Sequence, residues 1–157
     1  MTPTQPVRHN IMLPQERFFQ LQELADALGG KTMSETLQAL FQAARDQGLI
    51  KGHDLPGVRL NVVSDGIVIR FDDQEPVGFK FDAALALADA VRQFAAGTNT
   101  TSHQIDGDHF FSVRRKGRGV IVELATAQNG PSKAWNPDIA AEFADLIEAA
   151  VAEKYQK

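Results

Sequence analysis

The sequence predicts an α+β protein in which an N-terminal strand-helix-helix arm, residues 1–50, precedes a domain of two tandem β-β-β-α repeats, residues 58–157. Three observations predict this fold class. Apolar residues alternate and then recur at helical spacing within the arm, turn formers at 51–57 mark a short linker, and two later stretches resemble each other. The sheet of the second domain is predicted to be mainly antiparallel, with its helices on one face.

The composition is typical of an ordinary soluble protein. The chain has 157 residues, of which 43% are hydrophobic and 23% charged, so it is long enough to bury a core. It has no cysteine, which excludes disulfides, thiolate nucleophiles and cysteine-based zinc sites. No stretch approaches the roughly 20 apolar residues of a membrane span, and the N-terminus lacks the apolar region of a signal peptide. We therefore expect a cytoplasmic protein without membrane contact.

The arm begins with a predicted strand and continues into a helix. Val7, Ile11 and Leu13 alternate with more polar residues, as in a half-buried strand, and Pro14 ends the strand and opens the helix. Apolar residues then follow at helical spacing until Gly29-Gly30 ends the helix. They are Phe18, Leu21, Leu24, Ala25 and Leu28.

A second helix is predicted directly after these glycines. Thr32 or Ser34 is suited to cap it, and Glu35 follows Thr32 at the spacing of a capping box. Its apolar stripe runs to Gly48 and consists of Met33, Leu37, Leu40, Phe41 and Ala44. An arm of about 50 residues cannot bury two such stripes alone. Pairing with its own copy would cover the stripes and complete the lone strand, so we predict a homodimer.

The C-terminal domain shows internal similarity between residues 58–97 and 109–155. The stretch from Gly66 to Phe71 is echoed by Gly119 to Leu124, and Asp82 to Val91 is echoed by Asp138 to Ile147, with a longer loop around 125–133 in the second copy. Each copy is predicted to form three strands and a helix. The helices should bury one apolar stripe each on a shared sheet. The stripes are Leu85, Ala88, Val91, Phe94 and Ala95 in the first, and Ile139, Phe143, Leu146, Ile147, Ala150 and Val151 in the second.

Residues from about 6 to 50 resemble the ribbon-helix-helix superfamily of DNA-binding regulators and antitoxins, whereas the C-terminal domain resembles no family. The resemblance lies in the segment from Val7 to Pro14, in the first helical stripe, and in the segment from Gly30 to Leu37. It implies that strands from two chains form an antiparallel ribbon in the major groove. It also implies that the start of the second helix, at Lys31, Thr32 and Ser34, contacts phosphate.

The side chains that the resemblance directs to the bases are Arg8, Asn10 and Met12. Arginine can hold guanine and asparagine can hold adenine through two hydrogen bonds, and methionine can contact the thymine methyl group. The resemblance therefore implies a homodimeric transcriptional regulator, a repressor, that binds a short inverted repeat in duplex DNA. Residues 1–52 carry five basic and five acidic side chains, so binding by this neutral arm should be weak and sensitive to salt.

Two alternatives remain open. In one, the arm only dimerises and the C-terminal domain binds a protein, as in an antitoxin or an adaptor. In the other, the C-terminal domain binds single-stranded nucleic acid through a basic hairpin tip, with Phe110 or Phe111 stacking on bases. The tip residues are Arg114, Arg115, Lys116 and Arg118, which could equally form a solvated turn or a secondary patch beside duplex DNA.

Neither a cofactor nor an enzymatic function is predicted. The sequence contains no glycine-rich phosphate loop, no nucleophile elbow and no His-Glu metal helix. One loop-like segment holds potential metal ligands, but their spacing matches no metal motif, so no metal is predicted. These residues are His103, Asp106, Asp108 and His109.

Overall fold

A computed structural model describes residues 9–49, 55–98, 103–125 and 130–156. Within these ranges the protein is α+β, with four helices and two antiparallel sheets of three and four strands. Residues 9–49 belong to one compact unit, the arm unit, and the described residues from 55 onward belong to a second, the sheet unit. No helix in the described ranges is both long and apolar enough to cross a bilayer.

The arm unit contains helices α1 (Gln15–Ala27) and α2 (Met33–Asp46). Helix α1 begins directly after Pro14, and the chain leaves it through Gly29 and Gly30, whose φ angles are 99° and 77°. Residues with a side chain rarely adopt this left-handed backbone conformation, whereas glycine adopts it readily. The prediction that these two glycines end the helix is therefore confirmed. The amide of Gly30 donates back to the carbonyl of Ala25 at 3.1 Å, which makes the turn between the helices tight.

Helix α2 begins with the predicted capping box. The Thr32 hydroxyl accepts a hydrogen bond from the Glu35 amide at 3.2 Å, and the Glu35 carboxylate accepts one from the Thr32 amide at 3.0 Å. Both groups are satisfied by residues three positions apart, which is why the sequence alone could locate them. Thr32, and not Ser34, is the N-cap residue.

The predicted N-terminal strand is not confirmed. Residues 9–14 form neither helix nor strand, and the first two residues of the predicted strand, Val7 and Arg8, lie outside the described residues. A strand exists only where a neighbour satisfies its backbone groups. The prediction assigned that neighbour to a second copy of the chain, so the ribbon remains a prediction about a dimer.

The sheet unit contains seven strands and two helices. The first sheet is formed by β1 (Val58–Val62), β2 (Gly66–Phe71) and β3 (Val77–Lys80), followed by α3 (Phe81–Ala96). The second is formed by β4 (His103–Asp106), β5 (Phe111–Lys116), β6 (Gly119–Glu123) and β7 (Ser132–Trp135), followed by α4 (Pro137–Gln156). Neighbouring strands are antiparallel throughout both sheets.

Two expectations for this unit are wrong. We expected one continuous sheet, but the strands form two sheets, and both helices contact strands of each sheet. The halves are therefore joined by side-chain packing and not by a continuous hydrogen-bond ladder. We also expected a loop at His103–Asp106, but these residues form the edge strand β4 on β5. With one apolar residue in four, this segment lacks the alternation that reveals a strand.

The two halves share one hydrophobic core. Phe71 from β2 packs edge-on against Trp135 at a ring-centroid distance of 5.4 Å and against Phe143 of α4 at 5.6 Å. Trp135 and Phe143 lie 4.8 Å apart, so rings from both halves form one aromatic cluster. Leu85 was expected in the buried stripe of α3, but its side chain is 41% exposed, and Ala84 and Leu87 are buried instead.

Polar contacts also join the halves. The Gln74 side chain exchanges two 3.0 Å hydrogen bonds with the backbone of Ser132. Arg92 of α3 contacts Asp145 at 2.8 Å and Glu148 at 2.7 Å on α4. The hydrogen bond to Asp145 is the main reason that the pKa of Arg92 is raised. These contacts and the common core indicate that the sheet unit folds as one body.

Candidate nucleic-acid interface

The base-contacting residues predicted in the arm lie in an exposed stretch. Asn10 and Met12 are both exposed, Met12 to 96%, whereas Arg8 lies outside the described residues. Ile11, which the alternation placed on the buried side, is itself 77% exposed. In the single chain, therefore, the side chains on both sides of this stretch are exposed.

The predicted phosphate contacts lie at the start of α2. Lys31 and Ser34 are exposed, and Thr32 is occupied by the capping box. The Glu35 carboxylate already accepts the Thr32 amide proton, so a phosphate at this helix terminus would have to compete with an acidic group of its own helix. Of the three residues, Lys31 is the one with a positive charge, and its side chain takes no part in the capping box.

The arm unit has almost no core of its own. Among residues 9–49, only Ala25 and Thr36 are buried. Large apolar side chains of the arm are exposed instead, and they include members of both predicted stripes. These side chains are Ile11, Met12, Leu13, Phe18, Phe19, Leu28, Leu40, Phe41 and Leu49. Two amphipathic helices that leave this much apolar surface in water require a partner surface.

The basic hairpin tip divides into residues with different roles. The Arg115 guanidinium donates to the Phe94 carbonyl at 2.8 Å, at the C-terminal end of α3, so it stabilises a helix end. Lys116 and Arg118 are exposed at the two-residue turn between β5 and β6. Arg114 is partly buried, and its Nε has no hydrogen-bond partner among the described residues. The structure thus leaves three of the four predicted cations at this tip able to meet an anion.

The adjacent phenylalanines point in different directions. Phe111 is fully buried, whereas Phe110 is 61% exposed and has a φ angle of 63°. Phe110 closes the turn before β5, where the His109 amide donates to Asp106 Oδ1 at 2.9 Å. This hydrogen bond is the main reason that the pKa of Asp106 is lowered. A bulky side chain in the left-handed region costs about 1–3 kcal/mol.

We expect Phe110→Gly to be more stable than Phe110→Ala by about 1 kcal/mol, because both remove the same ring but only glycine relieves the backbone strain. The free energies of unfolding, measured by urea denaturation of the full chain, check this. Equal stability of the two variants would show that the backbone at this position carries no strain.

A second basic surface, which the sequence reasoning missed, lies on the first sheet. Strand register places Arg59 directly opposite Arg70, and Asn61 opposite Val68, on the side of the sheet that faces away from the core. Lys80 lies on the same side, opposite Gly66. Alternation along β1 and β2 could have indicated that each residue points outward, but only the register shows that two arginines are neighbours.

Charge is segregated between the strands and the helices of the sheet unit. The seven strands carry seven basic and two acidic side chains, whereas α3 and α4 carry two basic and seven acidic ones. The sheet unit is acidic in total, but its strands are basic. The net charge of the sheet unit therefore conceals a basic surface that is suited to binding anions.

The described residues contain no group of three or more histidine, aspartate or glutamate side chains that could hold a metal ion. A scan against protein-family models and searches of curated proteins and of solved structures find no match for this chain.

Proposed function

We propose that the chain is a homodimeric, sequence-specific regulator that binds duplex DNA through its N-terminal arm. The observation that carries self-association is the near absence of a core in the arm unit, where only Ala25 and Thr36 are buried among residues 9–49; DNA binding by the dimer rests on the resemblance of the arm to the ribbon-helix-helix superfamily. Two helices joined by a tight turn are folded, and α2 is capped by Thr32, yet apolar side chains of both helices are exposed. A second arm of the same shape supplies the missing cover.

Self-association would also give the segment before α1 a partner. Residues 9–14 pair with no strand in the part of the chain that the structure describes, and they lead directly into the helix after Pro14. Pairing across a two-fold axis would satisfy both copies at once. Side chains on the outer side of that ribbon, Asn10 among them, would then face the bases of a major groove.

We expect Asn10→Ala to weaken binding to the selected operator by about 1–3 kcal/mol while the dimer stays intact, because the variant cannot hydrogen-bond to its base and the packing does not change. Bound sequences are first selected from a random duplex pool at near-physiological salt, and affinities are then measured for the wild-type chain and the variant. Gln22→Ala, which shortens an exposed amide on α1, is the matched control and should retain wild-type affinity.

If the wild-type chain is dimeric but enriches no duplex sequence, sequence-specific DNA binding is contradicted and dimerisation is not. That outcome would favour the second candidate, an adaptor whose arm dimerises and whose sheet unit binds a protein. A specific observation supports this candidate. Residues 1–52 are electrically neutral, and the capping box directs a carboxylate at the helix terminus that would meet phosphate.

A further inference from the structure

We propose that the outward face of the sheet β1–β2–β3 binds single-stranded nucleic acid, with Arg59 and Arg70 on a phosphate and an unpaired base in the depression beside Gly66 and Gly78. This surface, the sheet face, consists of the outward residues of three strands. They are Arg59, Asn61, Gly66, Val68, Arg70, Gly78 and Lys80. Binding by the sheet face would not depend on DNA binding by the arm.

The sheet face brings two arginines together on neighbouring strands. Arg59 and Arg70 are directly opposite on neighbouring antiparallel strands, a position in which like charges destabilise a sheet. The closest carboxylate among the described residues is that of Asp73, 3.9 Å from Arg70, and it is fully exposed, so it screens the pair weakly. The Arg70 Nε is buried and has no hydrogen-bond partner among the described residues. A phosphate bound between the guanidinium groups would remove the repulsion.

The sheet face has a depression farther along β2. A shallow depression of about 230 Å³ is lined in part by Gly66, Val68, Gly78 and Lys80. Gly66 must lack a side chain, because a Cβ there would collide with the carbonyl oxygen of Phe79, and Gly78 leaves open space. The depression lies four residues from Arg70, roughly 13 Å along the strand.

The depression is suited to a base more than to a phosphate. Asp65 and Lys80 both line it, so the depression has no net positive charge for a phosphate, whereas a carboxylate can accept hydrogen bonds from the amino group of a base. Val68 offers apolar contact to a ring. A base can enter this depression only if it is unpaired, because the faces of the bases in a duplex are stacked on their neighbours. This is why we assign the sheet face to a single strand.

The charged side chains at the outward positions of this sheet are all basic. No carboxylate among the described residues pairs with Arg59 or with Lys80. Seven acidic residues of the sheet unit lie on α3 and α4, and four more, Asp65, Asp72, Asp73 and Glu75, lie in the turns at the two ends of this sheet. A single strand lying along the sheet face would meet basic groups and remain clear of the acidic helices. The outward positions of this sheet hold no aromatic side chain, so phosphate contacts should dominate and binding should weaken steeply with salt.

The test is fluorescence anisotropy of a labelled, mixed-sequence 12-nucleotide single strand with the full chain, at a series of salt concentrations. We expect the double variant Arg59→Gln and Arg70→Gln to bind at least tenfold more weakly, and the exposed single change Arg59→Gln to bind about threefold more weakly. The slope of log affinity against log salt should become shallower by about 0.7 for each phosphate that the variant no longer neutralises.

The matched control is the double variant Arg118→Gln and Lys154→Gln, which removes the same charge from the hairpin tip and from α4 and should change affinity less than twofold. Asn10→Ala should leave single-strand binding unchanged, which separates this surface from the arm. Three results would overturn the proposal: wild-type affinity of a folded Arg59 and Arg70 double variant, an equal loss in the control, or equally effective competition by a duplex of the same sequence.

Discussion

Phe71→Ala should destabilise the whole sheet unit by about 3–5 kcal/mol, the largest effect that we expect from a single core truncation. Phe71 is fully buried and contacts rings that arrive from the other half, Trp135 on β7 and Phe143 on α4. Removing its ring would leave a cavity that no neighbouring strand can close, because β2 is held on both sides by β1 and β3. Urea denaturation of the full chain measures the loss.

The way in which the variant unfolds is as informative as the loss of stability. Tryptophan fluorescence reports on Trp135, in the second half, and far-ultraviolet circular dichroism reports on all helices. If the halves share one core, both signals should shift to lower urea by the same amount for the sheet unit. Leu85→Ala is the control and should cost less than about 1 kcal/mol, because Leu85 is 41% exposed. A fluorescence transition unchanged by Phe71→Ala would show that the halves unfold independently.

Local chemistry made parts of the fold predictable from the sequence. The stop at Gly29-Gly30 and the capping box of Thr32 and Glu35 both depend on residues within a few positions of one another. The separation into two sheets depends instead on which strand edges meet, and no local pattern encodes that. Leu85 shows the same limit. Helix α3 contacts α4 and both sheets, so its buried face is wider than one stripe and is centred elsewhere.

The two candidate basic surfaces also differ in whether their residues are close together in the sequence. The hairpin tip was evident because its four cations are nearly consecutive in the sequence, yet the structure assigns Arg115 to the end of α3. The sheet face was missed because Arg59 and Arg70 are eleven positions apart and become neighbours only through the register of β1 and β2. The duplicated origin of the halves and the ribbon of the arm remain predictions, since one depends on ancestry and the other on a second chain.

Phe41→Glu should convert the full chain from a dimer to a monomer and reduce binding to the selected duplex operator by more than a hundredfold. Phe41 belongs to the apolar stripe predicted for α2, yet it is 51% exposed in the single chain. If a second arm covers it, the new carboxylate must be buried against apolar side chains, which costs several kcal/mol unless the dimer separates. Sedimentation equilibrium of the wild-type and variant chains gives the oligomeric state directly.

The control for this variant adds the same charge elsewhere on the same helix. Ala43 is exposed and lies two residues from Phe41, about 200° around α2, so Ala43→Glu should leave more of the dimer intact. The sheet unit should melt unchanged in both variants, because neither position belongs to its core. A Phe41→Glu chain that stays dimeric would place the dimer contact outside the stripe of α2. A monomeric wild-type chain would refute the proposed homodimer. It would also refute the two-fold ribbon on which operator recognition by the arm depends.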